Sequence, residues 1–189
     1  MDPHDVAARL EGLSAIDGPS QAAAAAVRDA VGSGALKAAL RGDWIGHALH
    51  PLLTDTVIGT WTSGLLLDLT GGQGADRLIA AGIVCAVPTA LSGATDWADA
   101  EEGDPGARRV GALHAVANVG ALGLQIRSLS ARRRGARGRG IALSLAANAL
   151  LGASGYLGGH LSYAQGVGVG RRGPGAVEPG TRGGAPPPS

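Results

Sequence analysis

The sequence predicts an all-α fold: a four-helix transmembrane bundle with an N-terminal amphipathic helix before it and a disordered C-terminal tail after it. Three observations carry that reading. Apolar stretches run over 51–70, 78–95, 110–126 and 141–157, and at about 1.5 Å per residue each is long enough to cross a hydrocarbon layer of about 30 Å. The chain is 45% hydrophobic with a mean hydropathy of +0.15, high for a protein that folds in water. Its 33 glycines and lack of phenylalanine across 189 residues describe a core of small side chains. Backbones then approach closely, as they do between membrane helices.

Residues 1–42 form the N-terminal segment. Its "SQAAAAAVRDAVGSGALKAAL" sets Arg28, Asp29 and Lys37 among Ala, Val and Leu around a "GSG" break, which predicts short amphipathic helices on the bundle or the bilayer surface. Acidic residues come early and no continuous apolar run precedes a small-residue cleavage site, so no secretory signal is read. The membrane domain covers 43–163. Its first apolar stretch holds Asp55 and Asp68 only toward its ends, and the other three hold no charged residue inside their boundaries. Residues 164–189, rich in Gly and Pro and without periodicity, read as the disordered tail. No internal repeat is evident.

The net charge of +1 conceals segregation, with "DWADAEEGD" acidic and "RSLSARRRGARGRG" basic. The positive-inside bias places the turn carrying Arg127 to Arg139, and Arg77 with it, on the cytoplasmic side of a bacterial inner membrane. Both termini and the histidine-bearing end then face outward. Orientation suffices to explain the arginine run, and no nucleic-acid module accompanies it. The single Cys85 excludes an internal disulfide framework, a four-cysteine zinc site and the usual protein-ligated iron–sulfur clusters. No nucleophile stands with a base, and no glycine loop is placed to bind phosphate, so the sequence offers no catalytic constellation.

The histidines carry the functional signal. His47 and His50 precede the first span, His114 sits one turn into the third, and His160 follows the fourth, all at one membrane face with Asp96 at the end of the second. His114, Asn118 and Gln125 share one helical stripe, with Ser144 and Asn148 as a partner stripe on the fourth span. A buried imidazole in a membrane is costly unless paired, and neutral imidazole is a ligand of haem iron, copper and zinc. Two arrangements stay open. His114 with His50 or His160 supplies the axial pair of a b-type haem, the Gly/Ala-rich walls leaving room. Alternatively, three or four of His47, His50, His114 and His160, joined by Asp55 or Asp96, hold a transition metal. Pro51 is expected to bias His50 toward extended backbone, which weakens His47 and His50 as a helical pair. Trp44, Trp61 and Trp97 are expected as interfacial anchors.

The strings "GHALHPLLTDTVIGTWTSGLLLD", "PTALSGATDWAD", "RRVGALHAVANVGA" and "GYLGGHLSYAQGVGV" resemble, in order and spacing, the bacterial membrane family called domain of unknown function 2231. The resemblance covers residues 36–170, with Ala48 standing where proline is common. It implies a four-helix membrane domain without assigning an activity, and relatives that often continue into a Rieske iron–sulfur domain, whose Cys/His set this chain lacks. That habit favours a membrane redox protein, transferring electrons through a histidine-lined haem b or metal site. The alternative is a non-catalytic membrane anchor that recruits a Rieske-type or other redox partner through its arginine-rich turn. A transporter is disfavoured by the missing repeat. Oligomeric state is left open.

Overall fold

A computed structural model describes residues 3–100 and 104–166. The described residues form seven α-helices and no strand: α1 Pro3–Glu11, α2 Asp17–Val31, α3 Ala35–Arg41, α4 Leu49–Leu69, α5 Ala75–Ala100, α6 Pro105–Arg133 and α7 Arg137–Gly159, closed by a π-helical turn, His160–Ala164. Residues 167–189, most of the predicted tail, lie outside the described residues, as do Glu101 and Glu102 of the acidic loop.

The four long helices overrun the apolar stretches that announced them, because hydropathy marks the apolar segment while capping marks the helix end. At the start of α6, Asp104 accepts from the Gly106 N–H at 2.7 Å and Pro105 occupies the first turn, five residues before the first apolar position. Pro51 also acts differently from expectation. It lies in the first turn of α4, where its missing N–H has no intrahelical partner to lose, so His50 is helical and not extended.

α4 and α5 form one antiparallel hairpin and α6 and α7 a second. α5 packs on α6 and α4 on α7, so α4 and α6 stand diagonally across the bundle. The two hairpins repeat each other. Asp68 and Arg132, 64 positions apart, precede matching turns in which Gly71 (φ +75°) and Gly135 (φ +79°) take the left-handed conformation. In both turns the third residue beyond the helix returns an N–H to a carbonyl five residues back, Gly72 to Leu67 at 2.6 Å and Ala136 to Ala131 at 3.0 Å. Just before each turn the hairpins close on a small residue: Gly64 lies against the Ala75 carbonyl, and the Ser128 hydroxyl donates to the Gly140 carbonyl at 2.6 Å. The sequence offers no evident repeat; the structure shows one, built on a few scattered tight-turn and close-approach positions, some identical in the two halves (Gly71 and Gly135) and some not (Gly64 and Ser128).

The bundle shows large apolar side chains on its outside and buries polar ones beside its apolar core. Leu66 (56% exposed), Val84 (71%), Val119 (70%) and Leu145 (54%) face outward on α4, α5, α6 and α7, while Ser92, Gln125, Ser128, Ser144 and Ser154 are fully buried. Of the four spans expected, two helical segments among the described residues, Ala75–Asp99 and Arg137–Ala164, are long and apolar enough to cross a membrane. Trp61 and Trp97 are not interfacial anchors. Trp61 packs over Gly82 and donates to the Ile79 carbonyl at 3.3 Å, and Trp97 packs over Gly111 and donates to the Arg108 carbonyl at 3.1 Å. Trp44 alone is exposed.

Ion pairs fasten both ends. At one, α1–α3 lie across the bundle: Asp17 receives Arg109 Nη2 at 2.6 Å and Arg108 Nη2 at 2.8 Å, and Asp99 receives Lys37 Nζ at 2.6 Å and Arg41 Nη1 at 3.1 Å. At the other, the Asp68 carboxylate, wholly buried, receives Arg132 Nη1 at 2.9 Å and Nη2 at 2.5 Å and ties the first hairpin to the second.

Asp68→Asn leaves Arg132 buried without its counter-charge and should lower unfolding stability by about 3 kcal/mol in detergent, whereas neutralising exposed Arg133 should change it by less than about 0.5 kcal/mol. The guanidinium groups of Arg109 and Arg108 hold the Asp17 carboxyl well below the usual carboxylate range. A depressed folded-state value means this clamp is at full strength above the ordinary 3.8 and weakens as pH falls below it. Amide-exchange protection across α2, taken relative to intrinsic exchange at each pH, should therefore fall selectively below about pH 4.

Candidate functional site

At the end covered by α1–α3, His50 and His114 reach across the bundle from the diagonal helices. Their ring centroids are 6.4 Å apart with planes at 84°. Each ring is held by the other helix of its own hairpin. His50 Nδ1 lies 2.9 Å from the Thr89 carbonyl oxygen on α5, and His114 Nδ1 lies 2.8 Å from the Ser154 carbonyl oxygen on α7. A carbonyl oxygen only accepts, so both Nδ1 atoms carry the proton and both lone pairs stand at Nε2.

The local sequence makes this placement possible. One turn beyond each carbonyl comes a glycine, Gly93 after Thr89 and Gly158 after Ser154. A Cβ there would lie 2.6 Å from His50 Cε1 or 3.0 Å from His114 Cε1. Thus each imidazole occupies a notch that a side chain would fill. One turn after each histidine comes a polar side chain facing Nε2: Thr54 Oγ1 at 3.4 Å from His50, and Asn118 Nδ2 at 2.9 Å from His114. Asn118 donates to the His114 lone pair, while the Thr54 hydroxyl donates to the His50 carbonyl at 2.8 Å and leaves its Nε2 only a long contact. The Ser154 hydroxyl adds a contact to His114 Nδ1 at 3.0 Å.

The other predicted site residues lie apart from this pair. His160 is engaged by Glu11, Nε2 to Oε1 at 2.7 Å, an oxygen that also receives Gln165 Nε2 at 2.7 Å. His47 is exposed on the loop before α4. Asp96 is buried on α5, seven residues past Thr89 and so about 10 Å further along the helix. Among the described residues no group of three or more His, Cys, Asp or Glu is placed to hold a metal ion. Of the predicted stripes, Asn148 donates to the Ser144 carbonyl at 2.9 Å and receives Thr62 at 3.4 Å, a link between α7 and α4. Gln125 is fully buried, and neither of its amide atoms has a hydrogen-bond partner among the described residues.

Thr89, Gly93, Ser154 and Gly158 did not emerge from sequence reasoning. Their signal was present as the tripeptide Ala-Leu-His at 48–50 and 112–114, together with a hydroxyl residue and a glycine four apart on each following helix. Below the pair, Val57, Trp61, Ala86, Ala121 and Leu151 form an apolar layer between it and the Asp68 end.

A family model described as "Predicted membrane protein (DUF2231)" matches residues 46–171, roughly two thirds of the chain. No curated protein and no solved structure matches.

Gly93→Ala should displace the His50 ring and lower stability by about 1 to 3 kcal/mol, with a smaller loss for Gly158→Ala, where the added carbon has more room. Thermal melts of the two variants in one detergent check the order.

Proposed function

The chain belongs to the domain of unknown function 2231 family of predicted membrane proteins, and from that premise we propose a four-span membrane redox protein whose His50 and His114 would hold a b-type haem. Outward-facing Leu, Ile and Val on all four long helices support four spans. α6, the least apolar of the four long helices, carries His114, Asn118 and Gln125 inward, and α4 carries His50 and Asp68. Those groups meet protein and not lipid.

The observation that carries the haem reading is the pairing of two imidazoles from opposite helices, both with Nδ1 committed to a backbone carbonyl. That bond fixes the tautomer, orients the ring and strengthens Nε2 as a ligand. The two rings, with centroids 6.4 Å apart, would share one metal atom. A two-nitrogen donor set suits a metal whose other positions a macrocycle fills, whereas structural zinc takes four protein ligands. When bound, a haem supplies one-electron chemistry. The chain's part is to hold the imidazoles in the Gly93 and Gly158 notches, to release Asn118 from His114 Nε2, and to exclude water with the apolar layer beneath. Transfer of electrons to or from a Rieske-type partner is the role consistent with such a site near one membrane face.

Full-length protein expressed with haem supplied and purified in detergent should show a Soret band and about one iron per chain. His50→Ala and His114→Ala should each abolish the band, while His47→Ala and His160→Ala should retain it. Wild-type protein without a Soret band refutes the haem assignment, and the further absence of stoichiometric copper or zinc refutes any metal reading of the pair.

A further inference from the structure

The end of the bundle remote from the histidines has its own chemistry. Its two turns, 68–77 and 127–139, hold seven arginines against two aspartates. Asp68 is fully engaged, one carboxylate serving both Arg132 and Arg137. Two guanidinium groups on one carboxylate leave a positive charge in excess, and Arg137 is the exposed member, 56% accessible at 3.1 Å from Asp68. Beside it opens a cavity of about 400 Å³ lined by Gln73, Gly74, Asp76, Arg77 and Arg137. Arg77 is exposed and forms no ion pair among the described residues. Exposed Leu66 (56%) and Leu69 (64%) close α4 immediately before this turn.

We propose that this cavity binds the phosphate of an anionic phospholipid headgroup. Arg77 and Arg137 neutralise the phosphodiester, and the Gln73 amide donates to the headgroup oxygens. Asp76 at the rim opposes a second negative charge, which favours a singly charged phosphodiester over a free phosphate dianion. Leu66 and Leu69 offer apolar surface to acyl chains, which inorganic phosphate lacks. The level is right as well. In a helix that spans the bilayer, the turn after the last apolar residue lies among the headgroups, and a basic pocket between helices at that depth suits an anionic lipid. The proposal rests on the membrane reading of the chain and is independent of the imidazole pair.

The test uses full-length protein in detergent micelles, titrated with short-chain phosphatidylglycerol, phosphatidylcholine or inorganic phosphate and followed by native mass spectrometry. Phosphatidylglycerol should bind more tightly than phosphatidylcholine. Arg77→Gln should weaken it about fivefold, and Arg139→Gln, an equal loss of charge on a residue that does not line the cavity, should weaken it less than half as much. Three results overturn the proposal: equal losses in the two variants, no preference between the lipids, or inorganic phosphate displacing phosphatidylglycerol at equal concentration. A chain that partitions into buffer without detergent overturns the membrane reading itself, and this site with it.

Discussion

Each hairpin is closed at the covered end by an imidazole seated where a glycine has no Cβ, its Nδ1 bonded to a carbonyl one turn before that glycine. His50 on Thr89 over Gly93 and His114 on Ser154 over Gly158 are one contact made twice. The contact requires its two helices to approach closely, and it sends both rings toward the bundle axis. It also fixes each tautomer, so the chemistry of the site and the spacing of the helices have the same origin. The glycine content that first suggested close packing thus has a specific purpose at these two positions.

The repeat gives that contact its partner. Two copies of one hairpin, starting at the same end, place equivalent residues on diagonal helices. The histidine pair lies at one end of the axis and the Asp68–Arg132 pair at the other. The copies diverge at paired positions. The first has Asp68 and the second Arg132, a difference that becomes an ion pair between the halves; the first has Thr54 and the second Asn118, so the two imidazoles meet unequal polar neighbours. Between the ends the apolar layer around Trp61 and Ala121 isolates the imidazoles from the basic end. The fold resembles a dimer of hairpins joined in one chain, with a site that neither half builds alone.

Much of this was legible in the sequence. The four long helices, the N-terminal helical segment and the polar stripe on α6 all follow from hydropathy and period, because an exposed apolar face and a buried polar one write directly into residue type. His50 and His114 also stood out, since an imidazole inside an apolar run is expensive. What did not show was which histidines meet. His160 looks equivalent in sequence, yet it is taken by Glu11, a residue 149 positions away whose approach depends on how α1 folds back. The repeat escaped because it is carried by small residues and backbone bonds: Gly71 with Gly135, Thr89 with Ser154, Gly64 with Ser128. Such positions constrain shape but are few and widely spaced, so even with Ala-Leu-His shared at 48–50 and 112–114 they leave little continuous sequence similarity. Pro51 misled for a local reason, because the usual bias against helix before proline yields when the proline is in the first turn.

The central claim is that one ligand is shared by exactly two imidazoles, one from each hairpin. X-ray absorption at the metal edge of the loaded full-length protein counts them. Two imidazole ligands are expected in the wild type, and no stoichiometric metal when either His50 or His114 is replaced by alanine. A spectrum with no imidazole contribution, or one unchanged by both replacements, would contradict it.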